Sequence, residues 1–385
     1  MSLPVSSVRD MSDKRRAHRA KQARRDARRA KKRTAGTSSD TDLTDVIRSA
    51  LKAGHPVSML EVASMVIHVG KPDRHRDETY LDRILTGLIG VRDRATTALL
   101  AVIAELLVDD PAPQLRCRHE LAERGEHLPR WITALPRVDI YRAVRRTNVF
   151  GDVDEVVIGM RLDGGHELTV AVRIDHNMLS SVADAGVVPD PIDEALARVA
   201  ETSSDTDVFE IRLADARMWI EDALSKPTLA PETDTWPLYR ALVQWLVGRL
   251  PEGGEHRSPA GEWESNEKLC DRFFATSSAA PFTDPGHREL LLELFETGTG
   301  DPLRWSRARV EQAIGGAPYS EDSIPLEVAL DAPDLLRAFV PYAHAQSGIR
   351  DELTSRTLAM VDALRSSYRR EVLRHAKYWD LDDAV

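Results

Sequence analysis

Apolar residues recur with two different periods along this chain, and the change of period divides it into regions. From Leu43 to Leu107 the spacing is helical. Leu43, Val46, Ile47, Ala50 and Leu51 share one face of a helix that stops at Gly54, with Pro56 just beyond. Ser58 and Glu61 have the spacing of a capping box ahead of a helix over Met59–Val69. Further helices are predicted near Glu78–Ile89, Ala95–Val108 and Gln114–Arg124, the last stopped by Gly125, with a short one at Arg130–Leu135.

The period then shortens. Asp139–Val149, Glu155–Leu162 and Glu167–Ile174 are rich in Val, Ile and Thr with partial alternation, and Ser180–Val188 adds a candidate fourth strand. Gly164-Gly165 reads as a two-residue hairpin turn between the second and third runs. Helical spacing returns over Ile192–Ala200, Leu213–Leu224 and Pro237–Leu250. Pro251–Gly261, rich in Gly and Pro, is the clearest internal break. Beyond it helices are predicted over Glu264–Thr276, His287–Glu296, Ser306–Ile314, Asp334–Ala345 and Leu353–His375, with Pro341 expected to end or kink the fourth. The expected fold is therefore α+β and predominantly helical, with one small antiparallel sheet around residues 138–188. The expected division is a basic segment and linker at 1–40, a helical region with the sheet at 41–250, and a helical region at 262–385 that either stands apart or packs with its predecessor.

Charge sharpens that division. Residues 1–36 carry 13 Lys/Arg against three Asp, a net of +10, while residues 37–385 hold 39 basic and 59 acidic side chains, a net of −20. The basic residues concentrate in Ser12–Arg33 as Lys14, Arg15, Arg16, Arg19, Lys21, Arg24, Arg25, Arg28, Arg29, Lys31, Lys32 and Arg33. This run has no apolar stripe and its like charges repel at helical spacing, so it is expected to be disordered alone. Neutralising phosphates and releasing their counterions is the chemistry such a run offers. Its lack of aromatic residues removes the platforms on which unpaired bases stack. The plainer readings are a solvated tail or one folded back on the acidic body. No apolar run approaches the length of a membrane span and no apolar leader opens the chain, so a cytoplasmic location without membrane contact is expected. Cys117 and Cys270 stand alone, which argues for reduced, buried thiols and against a disulfide framework.

Five stretches together carry a resemblance: RDRATTALLAVIAELL at 92–107, GHELTVAVRIDHN at 165–177, DTWPLYRALVQWLVGRLPEGG at 234–254, DPLRWSRARVE at 301–311 and GIRDELTSRTLAMVD at 348–362. They resemble a family of uncharacterised actinobacterial proteins, many with a basic N-terminus. The resemblance implies one body and a bacterial cytoplasm, and brings no activity and no catalytic residue.

Candidate chemistry is sparse. Asp175-His176-Asn177 leaves the third strand, where an acid and an imidazole can be aimed into one cleft, with His166, Asp152, Asp154 and Asp184 as neighbours suited in principle to a divalent cation. The plain reading of the same tripeptide is a turn, since Asp and Asn bond their own backbone at strand exits. His119-Glu120 and His166-Glu167 begin like a zinc-protease helix but lack the second imidazole, Glu123 and Val170 standing in its place. Gly298-Thr299-Gly300 does not continue as a dinucleotide loop, and no phosphate-binding P-loop or serine elbow occurs. Trp219, Trp236 and Trp245 read as helix-packing residues, and Arg304, Arg307 and Arg309 as a solvated face. The leading expectation is a non-enzymatic protein tethered by its tail to nucleic acid or the ribosome, its acidic body open to a protein partner. The competing expectations are an acid/base or metal-assisted enzyme centred on Asp175 and His176, and a scaffold whose tail contacts an acidic protein. No cofactor and no resident metal is expected.

Overall fold

A computed structural model of the chain describes residues 39–71, 80–200, 205–227, 233–257, 265–316 and 324–382. The basic run Lys14–Arg33, and the disorder expected of it, lie outside the described residues. The first region opens with helices α1 (Ser39–Lys52), α2 (Pro56–Gly70), α3 (Tyr80–Gly90), α4 (Arg94–Leu106), α5 (Pro111–Arg124) and the short α6 (Arg130–Ala134). Helix α4 is apolar on nearly every side because it runs through the core, with Leu99, Leu100, Val102 and Ile103 fully buried. Asp93 caps it, accepting a 2.8 Å bond from the Thr96 backbone while the Thr96 hydroxyl answers the Asp93 N–H. The predicted cap of α2 is corrected. His55 Nδ1 accepts from Val57 N at 3.3 Å and Pro56 opens the helix, while Glu61 is drawn off to the hydroxyl of Tyr239. Val46, expected on the buried face of α1, is half exposed, so that face is narrower than the pattern implied.

Five strands, β1 (Asp139–Asn148), β2 (Val153–Leu162), β3 (His166–Asp175), β4 (Ser181–Val188) and β5 (Thr206–Ile211), make one antiparallel sheet in the order β4-β3-β2-β1-β5. Register aligns Ala143 with Ile158, Ile158 with Val170 and Val170 with Val187, so one face is a continuous apolar layer. That layer joins α2, α4, α8 (Leu213–Ser225) and α9 (Trp236–Val247) in a single core. The opposite face buries a smaller patch, Val144 and Val157 against Ile192 of α7 (Ile192–Ala200). The β2–β3 turn spans Asp163 to Gly165, one residue longer than predicted, with Gly164 and Gly165 both at positive φ. β5 escaped prediction because nearly all of it is exposed, which erases the alternation that marks a half-buried strand.

Beyond residue 264 lie α10 (Asn266–Phe274), α11 (Gly286–Phe295), α12 (Arg307–Ile314), α13 (Leu326–Ala329), α14 (Ala332–Ser347) and α15 (Asp351–Asp382). They enclose a second apolar cluster around Phe339, whose ring meets Phe273, Phe295 and Trp305. Pro341 does not end α14. It stands on the exposed side, where water can satisfy the carbonyl it frees, while Phe339, Val340 and Ala343 anchor the helix on the other. Cys117 and Cys270 are buried free thiols, pushed up by desolvation to about 11 and about 12 respectively.

His344 is buried with both ring nitrogens engaged: Nε2 accepts from Trp305 N at 3.2 Å, and Nδ1 lies 2.9 Å from the Thr354 hydroxyl. Accepting a backbone N–H requires a neutral ring, and burial lowers its pKa to about 4. Above an unfolded pKa of about 6.5 the ring is neutral in both states and contributes no pH dependence. Below it the unfolded chain takes the proton first, so stability falls with pH down to about 4, by roughly 3 kcal/mol in total. Denaturant unfolding at a series of pH values should show wild type losing more stability over this window than His344→Gln, whose amide does not titrate.

Candidate functional site

The β1–β2 and β3–β4 turns lie at the same end of the sheet, and the side chains of interest gather there. β2 carries Asp154 in phase with Val156 and Ile158, so the carboxylate falls at the end of the apolar face, 1% exposed. Pairing sets Asp154 opposite Ile174, one residue inside the end of β3, and the His176 backbone N–H continues the ladder to Asp152 O at 2.8 Å. This brings His176 Nε2 to 3.0 Å from Asp154 Oδ2. Across the ring, Nδ1 lies 2.9 Å from Ser180 Oγ. Arg145 of β1 approaches Asp154 at 3.0 Å, and Arg257, within the Gly/Pro-rich break, donates Nε to it at 2.6 Å. Burial alone would raise the Asp154 carboxyl. His176, Arg257 and Arg145 overcome this and hold it well below the usual carboxylate range. Trp219 of α8 presents its ring to the Arg145 guanidinium at 5.5 Å and donates its indole N–H to Glu255 O. Asp154, His176, Ser180, Trp219, Asp222 and Arg257 line a cavity of about 150 Å³.

The expected pairing of Asp175 with His176 is corrected. Asp175 Oδ1 accepts from Asn177 N at 2.9 Å, so this carboxylate closes the turn and is absent from the cavity wall. Burial, with Asp152 nearby, raises its pKa. Neighbouring residues at a strand exit serve different partners, and the acid that reaches His176 comes instead from the adjoining strand. The cation grouping also disperses. Asp152 is held by Asn148 and Asn177, Asp184 accepts from Thr233 and Thr235, and His166 meets the ring of His55. Among the described residues no cluster of three or more His, Cys, Asp or Glu suits a metal ion.

Sequence reading named His176 and Asp154 but missed Ser180, Arg145 and Arg257. Ser180 is four residues from His176 across a turn, a spacing that carries no signal until the turn's conformation is known. Arg309 is a further correction. It is fully buried rather than solvated, donating to the carbonyls of Phe295, Arg304 and Asp301 with its guanidinium 4.1 Å from the Trp305 ring. Gly298, at φ +61, lies against it, and a Cβ there would meet Asn177 Oδ1 at 2.5 Å. Asn177 thus packs the β3–β4 turn against the C-terminal region without a hydrogen bond from its Oδ1, and Phe150 meets the His344 ring at 5.8 Å.

Asp154→Asn should be the costliest change in this cluster, roughly 3–5 kcal/mol, because two guanidinium groups lose their counter-charge. His176→Ala should cost about 1–3 kcal/mol, the penalty for an unsatisfied buried group. Asp175→Ala should cost less, about 1 kcal/mol, as a lost local turn bond. Denaturant midpoints of the three variants check the order, and an Asp175 effect equal to that of Asp154 would contradict it.

No protein-family model, no curated protein and no solved structure matches this chain.

Proposed function

We propose that this protein associates with nucleic acid or the ribosome through residues 1–36, tethering its acidic helical body to that polyanion. The partition of charge carries the reading: +10 within the first 36 residues against −20 over the remaining 349. Counterion release on neutralising phosphates gives such a segment sequence-independent affinity.

The placement of the body's arginines supports it. Arg48 faces Asp93, Arg116 faces Asp82, Arg249 faces Glu105, Arg337 faces Asp362 and Arg369 faces Asp334. A guanidinium already matched to a carboxylate has little attraction left for a phosphate, whereas the basic segment has three acids for 13 cations. An acidic body is repelled by the polyanion its tail grips and is held outward, open to a protein partner. In the bacterial cytoplasm that the actinobacterial resemblance implies, ribosomes and nucleoid are the abundant polyanions.

Binding of the full chain to duplex DNA and to RNA should weaken steeply with salt, log affinity falling by about 0.9 per contacted phosphate for each tenfold rise on the duplex. Removing residues 1–36 should abolish binding and leave the unfolding midpoint of the body nearly unchanged. A truncated body that binds as tightly as the full chain would overturn the reading. Affinity capture that depends on residues 1–36 yet resists nuclease would replace it with an acidic protein partner.

A further inference from the structure

The cavity beside His176 contains the parts of an acyl-transfer site, independently of the basic segment. Asp154 is ionised, since it faces two guanidinium groups; His176 Nε2 lies 3.0 Å from its Oδ2 in a charge contact without hydrogen-bond alignment, and the carboxylate's field assigns the ring proton to Nε2. Nδ1 then presents its lone pair to the Ser180 hydroxyl at 2.9 Å. A carboxylate beside an imidazole that accepts a serine proton is the arrangement of an activated nucleophile, and a small turn of the ring would align the acid with Nε2. The two ring nitrogens are exchanged relative to the serine-protease pattern, but the proton transfer needs only one nitrogen towards each partner.

The backbone adds a second observation. Leu179 and Ser180 have φ of +58 and +59, and they alone among the described non-glycine residues have positive φ. Neither side chain favours the left-handed region, so the turn holds a conformation that its own residues disfavour. The result is to bring Ser180 back beside the ring of His176.

We propose that Ser180 is a nucleophile that takes a short acyl group from a carboxylic ester, with water as the final acceptor. The Ser180 hydroxyl gives its proton to His176 Nδ1 as Oγ bonds to the carbonyl carbon. The bond to the ester alkoxy oxygen then breaks, and that oxygen takes the proton from Nδ1 and leaves as the alcohol. Water attacks the acyl-serine in the same way, giving one proton to Nδ1, and Oγ recovers it as the carboxylic acid departs. Asp154 steadies the imidazolium that forms in each half. Arg257 supplies positive charge to the developing oxyanion. It commits Nε to Asp154 and Nη2 to Gly151 O, leaving Nη1 without a partner among the described residues. A volume of about 150 Å³, walled by Trp219 and Ile174, suits an acyl group of a few carbons and excludes a fatty chain.

The test is covalent labelling of the full-length protein with a fluorophosphonate. Its phosphorus is attacked by an activated serine Oγ with loss of fluoride, and the adduct is located by mass spectrometry. Wild type should label at Ser180. Ser180→Gly, which keeps the positive φ and removes the hydroxyl, should not label while retaining the wild-type unfolding midpoint. His176→Gln should label at least about 100-fold more slowly, the usual contribution of a general base. Hydrolysis of 4-nitrophenyl acetate should follow the same order. An unlabelled wild type, an adduct on another residue, or undiminished labelling of Ser180→Gly would overturn the proposal. Polyanion binding by the same variants should be unchanged, so failure here leaves the tethering function standing.

Discussion

A carboxylate removed from water must be neutralised by its neighbours, and Asp154 imposes that requirement on the whole rim of the sheet. It draws in one cation from β1, one imidazole from the exit of β3 and one cation from within the 251–261 break. Each partner is fixed by the same charge, so the three chain segments cannot move independently. An isolated buried ion would cost several kcal/mol, which makes the cluster cooperative: it forms complete or it destabilises the fold. The β3–β4 turn takes its position from His176, and the chain leaving α9 takes its path from Arg257.

Much of this architecture could be read from periodicity because most elements bury one face. Gly125 ends α5 in the left-handed conformation, and Ser306 caps α12 by accepting from Arg309 N, both as their residue types suggest. Reading failed where local chemistry was unconventional or where no face is buried. His55 replaces the usual hydroxyl or carboxamide as a cap, and β5 has no hidden side to betray it. The site divides the same way. His176 stood out as an imidazole at a strand exit, but its true acid is 22 positions upstream and becomes adjacent only through the pairing of Asp154 with Ile174. Adjacency in sequence favoured Asp175; register delivered Asp154.

Arginine outnumbers lysine 43 to 9 in this chain, a bias that genome composition alone could produce, yet the fold has put the residue to use. Arg309 is enclosed by backbone carbonyls and an indole, Arg249 lies 4.2 Å from the Trp245 ring, and Arg124 reaches from the end of α5 to the terminal carbonyls of α3 at Leu88 and Ile89. A planar, weakly hydrated cation with several donors can serve three carbonyls at once, which an ammonium group on a flexible stem does poorly. Internal cross-links of this kind replace part of what a richer supply of aromatic residues would otherwise provide.

β5 closes the sheet on one side, and among the described strands it pairs with β1 alone. Val208 and Phe209 are both about half exposed on it, the composition that invites a second sheet to add itself. Asp207 and Glu210 bracket that pair. In an antiparallel meeting of two such strands that sets Val208 against Phe209, each Asp207 falls opposite a Glu210, so carboxylates meet at the edge, with the Glu210 charge partly matched by Arg142 of β1. Self-association through this edge is therefore opposed by charge rather than by shape, and high salt weakens that guard.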